Sequence, residues 1–589
     1  MSYGLMTSAR GGEGSPLDRA RALRRAGQNA EAAELLQERL RAYPNDVDTL
    51  LEWGNFLKAS GRYAEALAPL SEAARLAPGQ SALWLNLGVA LLELSRTDEA
   101  IAAFDRAVVL EPRRPDALNI LGHAMLVRGE PTRAAHFFER ALKFKPDYAP
   151  ALDNLGRVRK SQGRASEAIG LHRRALAAGA GAATASNLLY TLNLVPGISP
   201  EEIFAEHQRW GAAQPGALPL PPRPAAAFRR RIRVGYVSPD FCQHAVAYFM
   251  ESVLAGHDRA RFEVFCYSDV RVPDPTTARL RALGEHWRDI STLKDDAVLN
   301  QIRGDEIDIL VDLAGHTARN RLAVFARRAA PAQVTWIGYP NTTGLKTMDY
   351  RITDAIADPV GQTERWHTEQ LLRLPGPFSL YRPPADAPEV FSPLPATLRR
   401  CVTFGCFNHL AKLHPATIEV WGRILTRLPT AKLMLKIRGV DQATRQRLFA
   451  ALEERGVPEE RVEIISSALS VRDHLTLYGR VDIGLDSFPY NGTTTTCEAL
   501  WMGVPMVTLA GQTHVARVGA SILSHVGFFE GIATTVDDYV ERAVGLAADL
   551  QTLANIRAGL RERVRSSSLV DQRAFVTALE AAWGQIAKK

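Results

Sequence analysis

Four ladders of residues with a single period constrain this chain more than anything else in it. Pro44, Pro78, Pro112 and Pro146 recur every 34 residues, and Gly54, Gly88, Gly122 and Gly156 keep the same step. Gly27, Gly61, Ser95, Gly129 and Gly163 form a third series, and Ala32, Ala66, Ala100, Ala134 and Ala168 a fourth. Each ladder has a physical job. Small residues let two helices approach closely, a glycine opens the turn between them, and a proline ends the second helix. A chain written this way stacks helical pairs that bury their faces against neighbouring pairs.

The period is that of tetratricopeptide repeats. Units over 13–46, 47–80, 81–114, 115–148 and 149–182 predict an all-α superhelix of five repeats across 16–182, after a disordered tail over 1–15. Residues 183–212 read as helices capping the stack. The concave groove of such a solenoid suits an extended peptide. Asn86 and Asn154 occupy equivalent groove-side positions and are candidate acceptor-peptide ligands, although Ile120 interrupts the series. Local turn or surface roles fit these two asparagines equally well.

Residues 213–230 form a Pro-rich, semi-rigid linker closed by the basic run Arg229-Arg230-Arg231. From 231 the pattern changes to short β-rich runs alternating with helical segments. Ile232–Val237, Phe262–Tyr267, Ile307–Leu313, Gln333–Ile337 and Tyr350–Thr353 make one set. Val402–Phe407, Lys432–Lys436, Val462–Ile465, Val481–Leu485 and Met506–Leu509 make a second, beyond a Pro-rich break at 375–395. Alternation of this kind predicts parallel sheets. Two sets in tandem predict two Rossmann-like halves, 231–385 and 386–589, facing a cleft. Ligands in such sheets bind beyond the carboxyl ends of the strands.

The polar motifs fall at those ends. Asp486-Ser-Phe-Pro-Tyr-Asn491-Gly492 leads into Thr493-Thr494-Thr495-Thr496-Cys-Glu498, a strand end, a turn and a hydroxyl-rich helix start. Free N–H groups, the positive end of the helix dipole and hydroxyls together make a phosphate site. Glu498, one turn in, can accept both hydroxyls of a ribose, yet Thr495-x-x-Glu498 also spells a capping box. In Cys406-Phe-Asn408-His-Leu-Ala-Lys412, Lys412 can neutralise a departing diphosphate or be a solvated loop lysine. Gly235-Tyr-Val-Ser-Pro-Asp-Phe-Cys-Gln-His244 places a histidine on the opposite wall, as a base, an acceptor-orienting group or a structural residue. Asp312, Gly315, His316 and Thr317 end a further strand, and the turn-rich loop around Gly338 is able to fold over a sugar.

Several classes are excluded. The 71 Lys+Arg against 64 Asp+Glu give a net charge of only +7 over 589 residues, too thin for a nucleic-acid footprint. Met1–Pro16 has no apolar core and no run of about 18 uncharged apolar residues exists, so neither a signal peptide nor a membrane partner is expected. The five Cys make no C-x-x-C, which disfavours a zinc ribbon and fits a reducing, cytoplasmic setting. No Walker A and no G-x-G-x-x-G occur. Asp46 and Asp48 form an Asp-x-Asp, but inside a helical repeat, where metal–diphosphate chemistry has no cleft.

Repeats followed by two halves carrying these runs resemble the O-linked N-acetylglucosamine transferase family, glycosyltransferase family 41, and most nearly its SPINDLY branch. The resemblance rests on Gly235–Asp240, Gly315–Ala318, Trp336–Gly344, Phe407–Lys412 and Phe488–Glu498, and it spans about 20 to 585. It implies a GT-B-type catalytic region, a nucleotide-diphosphate sugar as donor, protein Ser/Thr as acceptor, and neither cofactor nor metal. It also implies that Lys412, Thr494 and Thr495 contact the donor diphosphate and Glu498 its ribose. Asn408, Thr493, His316, Thr317 and Gly338 would line the donor site, and His474 would pack near the base. By the same resemblance His244 is a base or an acceptor-orienting group, and Asp312 a suspected proton relay. Thr493 and Val471 depart from the histidine and lysine usual in N-acetylglucosamine transferases, which leaves UDP-N-acetylglucosamine and GDP-fucose both open as donors. A non-catalytic nucleotide-sugar-sensing scaffold is the alternative of another class, and an enzyme acting on free nucleotide sugars a third.

Overall fold

The computed structural model describes residues 15–221, 231–467 and 470–588. Nearly all of the tail expected over 1–15 and residues 222–230 of the expected linker, with two of the three arginines of its basic run, lie outside the described residues. The chain divides into two compact units, 1–158 and 159–589.

The first unit consists of helical pairs with the predicted period: Pro16–Arg25 with Asn29–Ala42, Val47–Ala59 with Tyr63–Leu76, Ser81–Glu93 with Thr97–Leu110, and Pro115–Val127 with Pro131–Phe144. Each ladder does its expected work. A Cβ on Gly54, Gly88 or Gly122 would lie 2.4–2.6 Å from the side chain of Leu70, Phe104 or Phe138, so these helices touch through the missing side chain. The alanine ladder is fully buried. Gly27, Gly61, Gly129 and Gly163 hold left-handed turns with φ between 73° and 86°, and Ser95 takes the same region at 60°. The fifth repeat, Ala149–Ser161 with Ala165–Ala177, straddles the division between the units.

The second unit carries two all-parallel sheets. The first contains β1 (Ile232–Ser238), β2 (Phe262–Ser268), β3 (His286–Asp289), β4 (Ile309–Asp312), β5 (Ala332–Thr335), β6 (Tyr350–Thr353) and β7 (Gln370–Arg373), in the order β3-β2-β1-β4-β5-β6-β7. The second contains β8 (Thr403–Cys406), β9 (Lys432–Lys436), β10 (Val462–Ile465), β11 (Ile483–Leu485), β12 (Met506–Leu509) and β13 (Ile532–Ala533), in the order β10-β9-β8-β11-β12-β13. Both orders reverse direction beside their first strand, so each sheet has a switch point: β1/β4 in one, β8/β11 in the other.

Packing moves two expected boundaries. The helices Ala182–Leu192 and Pro200–Ala212 do more than cap the repeats: Leu188, Leu192, Ile203 and Trp210 share a core with Val237, Phe265 and Leu310 of the first sheet. The last helix, Gln572–Ile586, belongs to the first half and not to the second, because Phe575, Leu579 and Trp583 pack among Val234, Val264 and Trp336. Buried Glu580 fixes it there by accepting from the Asp258 N–H at 2.8 Å and pairing with His257 at 3.0 Å. Of the expected linker, Leu218 lies on the first half, its N–H donating to the Arg327 carbonyl at 3.1 Å. Among the described residues no helix is long and apolar enough to cross a membrane.

Candidate active site

The carboxyl ends of β8 and β11 deliver most of the predicted residues to one place. Asp486, just past β11, is fully buried and organises them. Its Oδ1 accepts from the N–H groups of Gly492 (2.7 Å) and Ser487 (2.9 Å) and from the Asn408 amide (3.0 Å), while Oδ2 accepts from the Thr508 hydroxyl (2.8 Å). Burial pushes its carboxyl up to about 6 against those donors and the nearby Lys412 charge. A Cβ at 492 would lie 2.6–2.9 Å from Thr495 Oγ1, Asn408 Oδ1 and Thr496 Oγ1, so glycine lets these polar side chains close in without shifting. The chain is thereby folded tightly onto the start of the helix Thr494–Trp501.

That helix start is open. Thr493 is its N-cap and makes no side-chain capping bond, and the Thr495 hydroxyl reaches instead across to Asn408 Oδ1 at 2.5 Å. Glu498 is turned away as well: its Oε2 accepts from His474 Nε2 (3.0 Å) and the Tyr478 hydroxyl (3.5 Å). The capping-box alternative for Thr495 and Glu498 is therefore not what the fold uses. The N–H groups of Thr494 and Thr495 have no intrahelical acceptor and no other acceptor among the described residues, so the positive end of the helix dipole is left uncapped there.

Lys412 ends a short turn, Leu410–Lys412, directly after β8. It is not a solvated loop lysine. Its ammonium donates to the Asn491 carbonyl at 2.8 Å and lies 4.2 Å above the Tyr490 ring. Burial lowers its pKa to about 8, with Asp486 opposing the shift. Beside this group stands the pair His474–Glu498, flanked by Phe407 and Tyr478. One residue in this wall falls in none of the sequence motifs. Lys436, at the end of β9, is buried with its pKa lowered by that burial and by Arg438. A charged residue closing an otherwise apolar β-run is the signal that marks it.

The β1/β4 wall is more mixed. His244 is half-exposed at the N-cap of Ala245–Gly256, with Nδ1 accepting from the Val246 N–H at 3.3 Å and standing 3.6 Å from Asp240 Oδ2. It borders a cavity of about 540 Å³, shared with Tyr248, Glu251, Arg279 and Arg382 and edged by Val471 of the second half. Asp312 is sealed behind this wall, accepting from the N–H groups of Ala314 (3.1 Å) and Gly315 (2.9 Å) and the Thr335 hydroxyl (2.8 Å), and burial pushes it up to about 6. His316 sits elsewhere. It is buried against Trp210 of the capping helices, with Nδ1 on the Ser186 hydroxyl (3.0 Å) and Nε2 on the Thr343 carbonyl (2.9 Å), so both ring nitrogens are committed and none is left for a donor. Thr317 donates to the Ala314 carbonyl at 2.8 Å, closing the turn below. Gly338 is a close-approach glycine, since a Cβ would lie 1.9 Å from the Leu313 carbonyl oxygen. In the repeats, Asn86 accepts from Lys58 and donates to the Ala82 carbonyl at 2.8 Å. Asn154 donates to Asn119 at 3.0 Å, so the residue that continues its series is displaced by one position.

The motifs of this cleft have counterparts in known sequences. The sequence model of Glycosyl transferase family 41 matches residues 221–381 and 394–579, more than half of the chain. The chain belongs to this family. Tetratricopeptide repeat models match 17–81, 85–149 and 151–182. A probable UDP-N-acetylglucosamine–peptide N-acetylglucosaminyltransferase SPINDLY of Petunia hybrida is 43% identical over 409 residues, covering 67% of this chain and 43% of the relative. The UDP-N-acetylglucosamine–peptide N-acetylglucosaminyltransferase of Caenorhabditis elegans is 27% identical over 476 residues, covering 61% of this chain and 41% of its own. The chain thus spans less than half the length of these curated relatives. A solved O-GlcNAc transferase mutant from Thermobaculum terrenum superposes with a TM-score of 0.72 at 34% identity, covering 92% of this chain and 97% of that one. The family's two-sheet fold after helical repeats is therefore the fold of this chain.

Proposed function

We propose that this chain is an inverting protein O-glycosyltransferase that moves one sugar from a nucleotide diphosphate to Ser or Thr hydroxyls. The observation that carries the reading is the convergence, at one switch point, of the Lys412 ammonium, bonded to the Asn491 carbonyl and favoured by the Asp486 charge, with the open helix start at Thr493–Thr495, which Thr495 ties to Asn408 and through it to Asp486. In the reaction the acceptor oxygen bonds to the anomeric carbon as the bond from that carbon to the diphosphate oxygen breaks. The negative charge that grows on the leaving diphosphate meets Lys412 and the N–H groups of Thr494 and Thr495, with no metal required. Glu498, held by His474, is placed to accept from the ribose hydroxyls. The hydroxyl proton leaves toward the His244 side of the cleft, where a general base contributes about 10²–10⁴-fold. Asp312 and His316 support that wall from behind.

The relatives' printed names favour UDP-N-acetylglucosamine as donor. GDP-fucose is the second reading, favoured by Val471, which leaves an uncharged edge on the cavity where a base-contacting lysine is usual in N-acetylglucosamine transferases. Acceptor peptides would enter along the repeat groove past Asn86 and Asn154. The five unpaired cysteines support action in the cytoplasm. Incubation with labelled UDP-N-acetylglucosamine and GDP-fucose, scoring transfer to protein against free sugar, separates the donors and the third class of enzyme. Lys412→Ala is expected to abolish transfer with the fold intact, and unchanged turnover removes Lys412 from the reaction. A scaffold is supported instead if calorimetry finds no binding of UDP or GDP.

A further inference from the structure

Lys412 does not rest on its own half alone. The Tyr490 ring beneath its ammonium is buried in a cluster with Ala411, Val515, Ala165 and Leu194, and it packs against Tyr190 with ring centroids 5.8 Å apart. Tyr190 belongs to the helix Ala182–Leu192, and Ala165 is the first residue of the last repeat helix. The turn that precedes this helix presses on the lysine's own turn: a Cβ on Gly163 would lie 3.1 Å from the Leu413 carbonyl oxygen and 3.3 Å from that of Leu410. Gly163 has φ +76°, like Gly129 at +86°, but Gly129 faces open space.

We propose that Tyr490 is a positioning residue for Lys412, and that the turn of the fifth repeat around Gly163, with Tyr190, holds Tyr490 and the Leu410–Leu413 turn in place. The inference rests on the role given to Lys412 above and adds the residues that aim it. An ammonium over a ring face gains a directional attraction of its own, which the neighbouring carbonyl of Asn491 completes. Other charged or titratable groups facing it are Asp486 and Cys406, which favour the ammonium, and His409, while Lys160 lies 4.7 Å over the far tyrosine, Tyr190. Asp486 holds the charge and Tyr490 the direction.

The test compares Lys412 in the full chain and in Tyr490→Leu, Tyr490→Phe, Gly163→Ala and Gly129→Ala. Its titration is read by pH-dependent reductive methylation followed by mass spectrometry, and transfer is read as kcat and KM against pH. The wild-type lysine should titrate near 8. Loss of the ring in Tyr490→Leu should lower that by about half a unit to one unit and move the alkaline limb of kcat down with it, about a twofold to fivefold loss at pH 8. Tyr490→Phe keeps the ring and should keep the limb. Gly163→Ala should lower kcat about threefold or more with acceptor KM unchanged, because a displaced turn misaims the ammonium. Gly129→Ala carries the same backbone strain and should leave kcat unchanged. The inference is overturned if Tyr490→Leu leaves the Lys412 titration unmoved, or if Gly163→Ala and Gly129→Ala behave alike. Should Tyr490→Leu fail to fold, the glycine pair decides alone. If the wild-type chain transfers no sugar while Tyr490→Leu still shifts the lysine, the enzyme reading falls and the positioning stands.

Discussion

Replacing Asp486 by Asn separates what the donor cradle costs in stability from what it supplies to chemistry. The carboxylate is fully buried and its pKa is raised from 3.8 to about 6, chiefly by desolvation. A raised carboxyl favours the protonated form in the fold, so the folded chain binds the proton more tightly than the unfolded one. Stability therefore falls as pH rises from about 4 to about 6 and is flat above that. A difference of about 2 units corresponds to about 3 kcal/mol lost by pH 7. The isosteric amide removes this term. It keeps a carbonyl oxygen for Gly492, Ser487 and Asn408, and it sets an amino group before Thr508, whose hydroxyl can turn to accept. Exchanging charge-assisted bonds for neutral ones costs about 1 kcal/mol.

The expected net is a variant more stable than wild type by about 2 kcal/mol near pH 7.5, with the advantage gone or reversed near pH 4.5. Activity should move the other way. Asp486 favours the ammonium form of Lys412, so its removal lowers the lysine below about 8 and discharges it at neutral to alkaline pH. Urea denaturation at several pH values, paired with transfer assays, reads both. A stability difference that stays constant from pH 4.5 to 7.5 would refute the buried-carboxylate account, as would a variant that keeps its full alkaline activity.

Three further outcomes follow from the same geometry. Gly88→Ala puts a Cβ 2.4 Å from the Phe104 ring and should destabilise the repeats by about 1–3 kcal/mol, a loss that adding Phe104→Leu partly restores in thermal melts. Ser95→Gly relieves a left-handed serine at φ 60° and should raise the melting temperature by the equivalent of about 0.5 kcal/mol, once the greater freedom of unfolded glycine is deducted. Glu498→Gln should weaken UDP or GDP binding in calorimetry about tenfold while leaving the melting temperature close to wild type, since His474 and Tyr478 can still bond the amide oxygen.

What could be read from the chain alone was whatever a local rule determines. The glycine and alanine ladders were legible because each repeat solves the same packing problem with the same residue, and the site motifs because switch-point loops follow strands in sequence. The strands that the sequence pattern does not mark, β3, β7 and β13, are all sheet edges, where half-exposed residues such as His286 and Arg288 need no apolar alternation. Long-range partners were out of reach. Nothing near Glu580 announces His257, and nothing near Tyr490 announces Tyr190, because each pairing is made by folding some 300 residues of chain between them. His316 shows the converse: a polar motif at a strand end suggests a side chain facing the ligand, but the capping helices claim it through Ser186 and Trp210. At Thr495 and Glu498 two roles share one sequence pattern. A capping box and a ligand site ask for the same residues at the same spacing, so the spacing cannot choose between them. The choice is made by Asn408 and His474, which reach in from other elements and take the very atoms that a cap would have used.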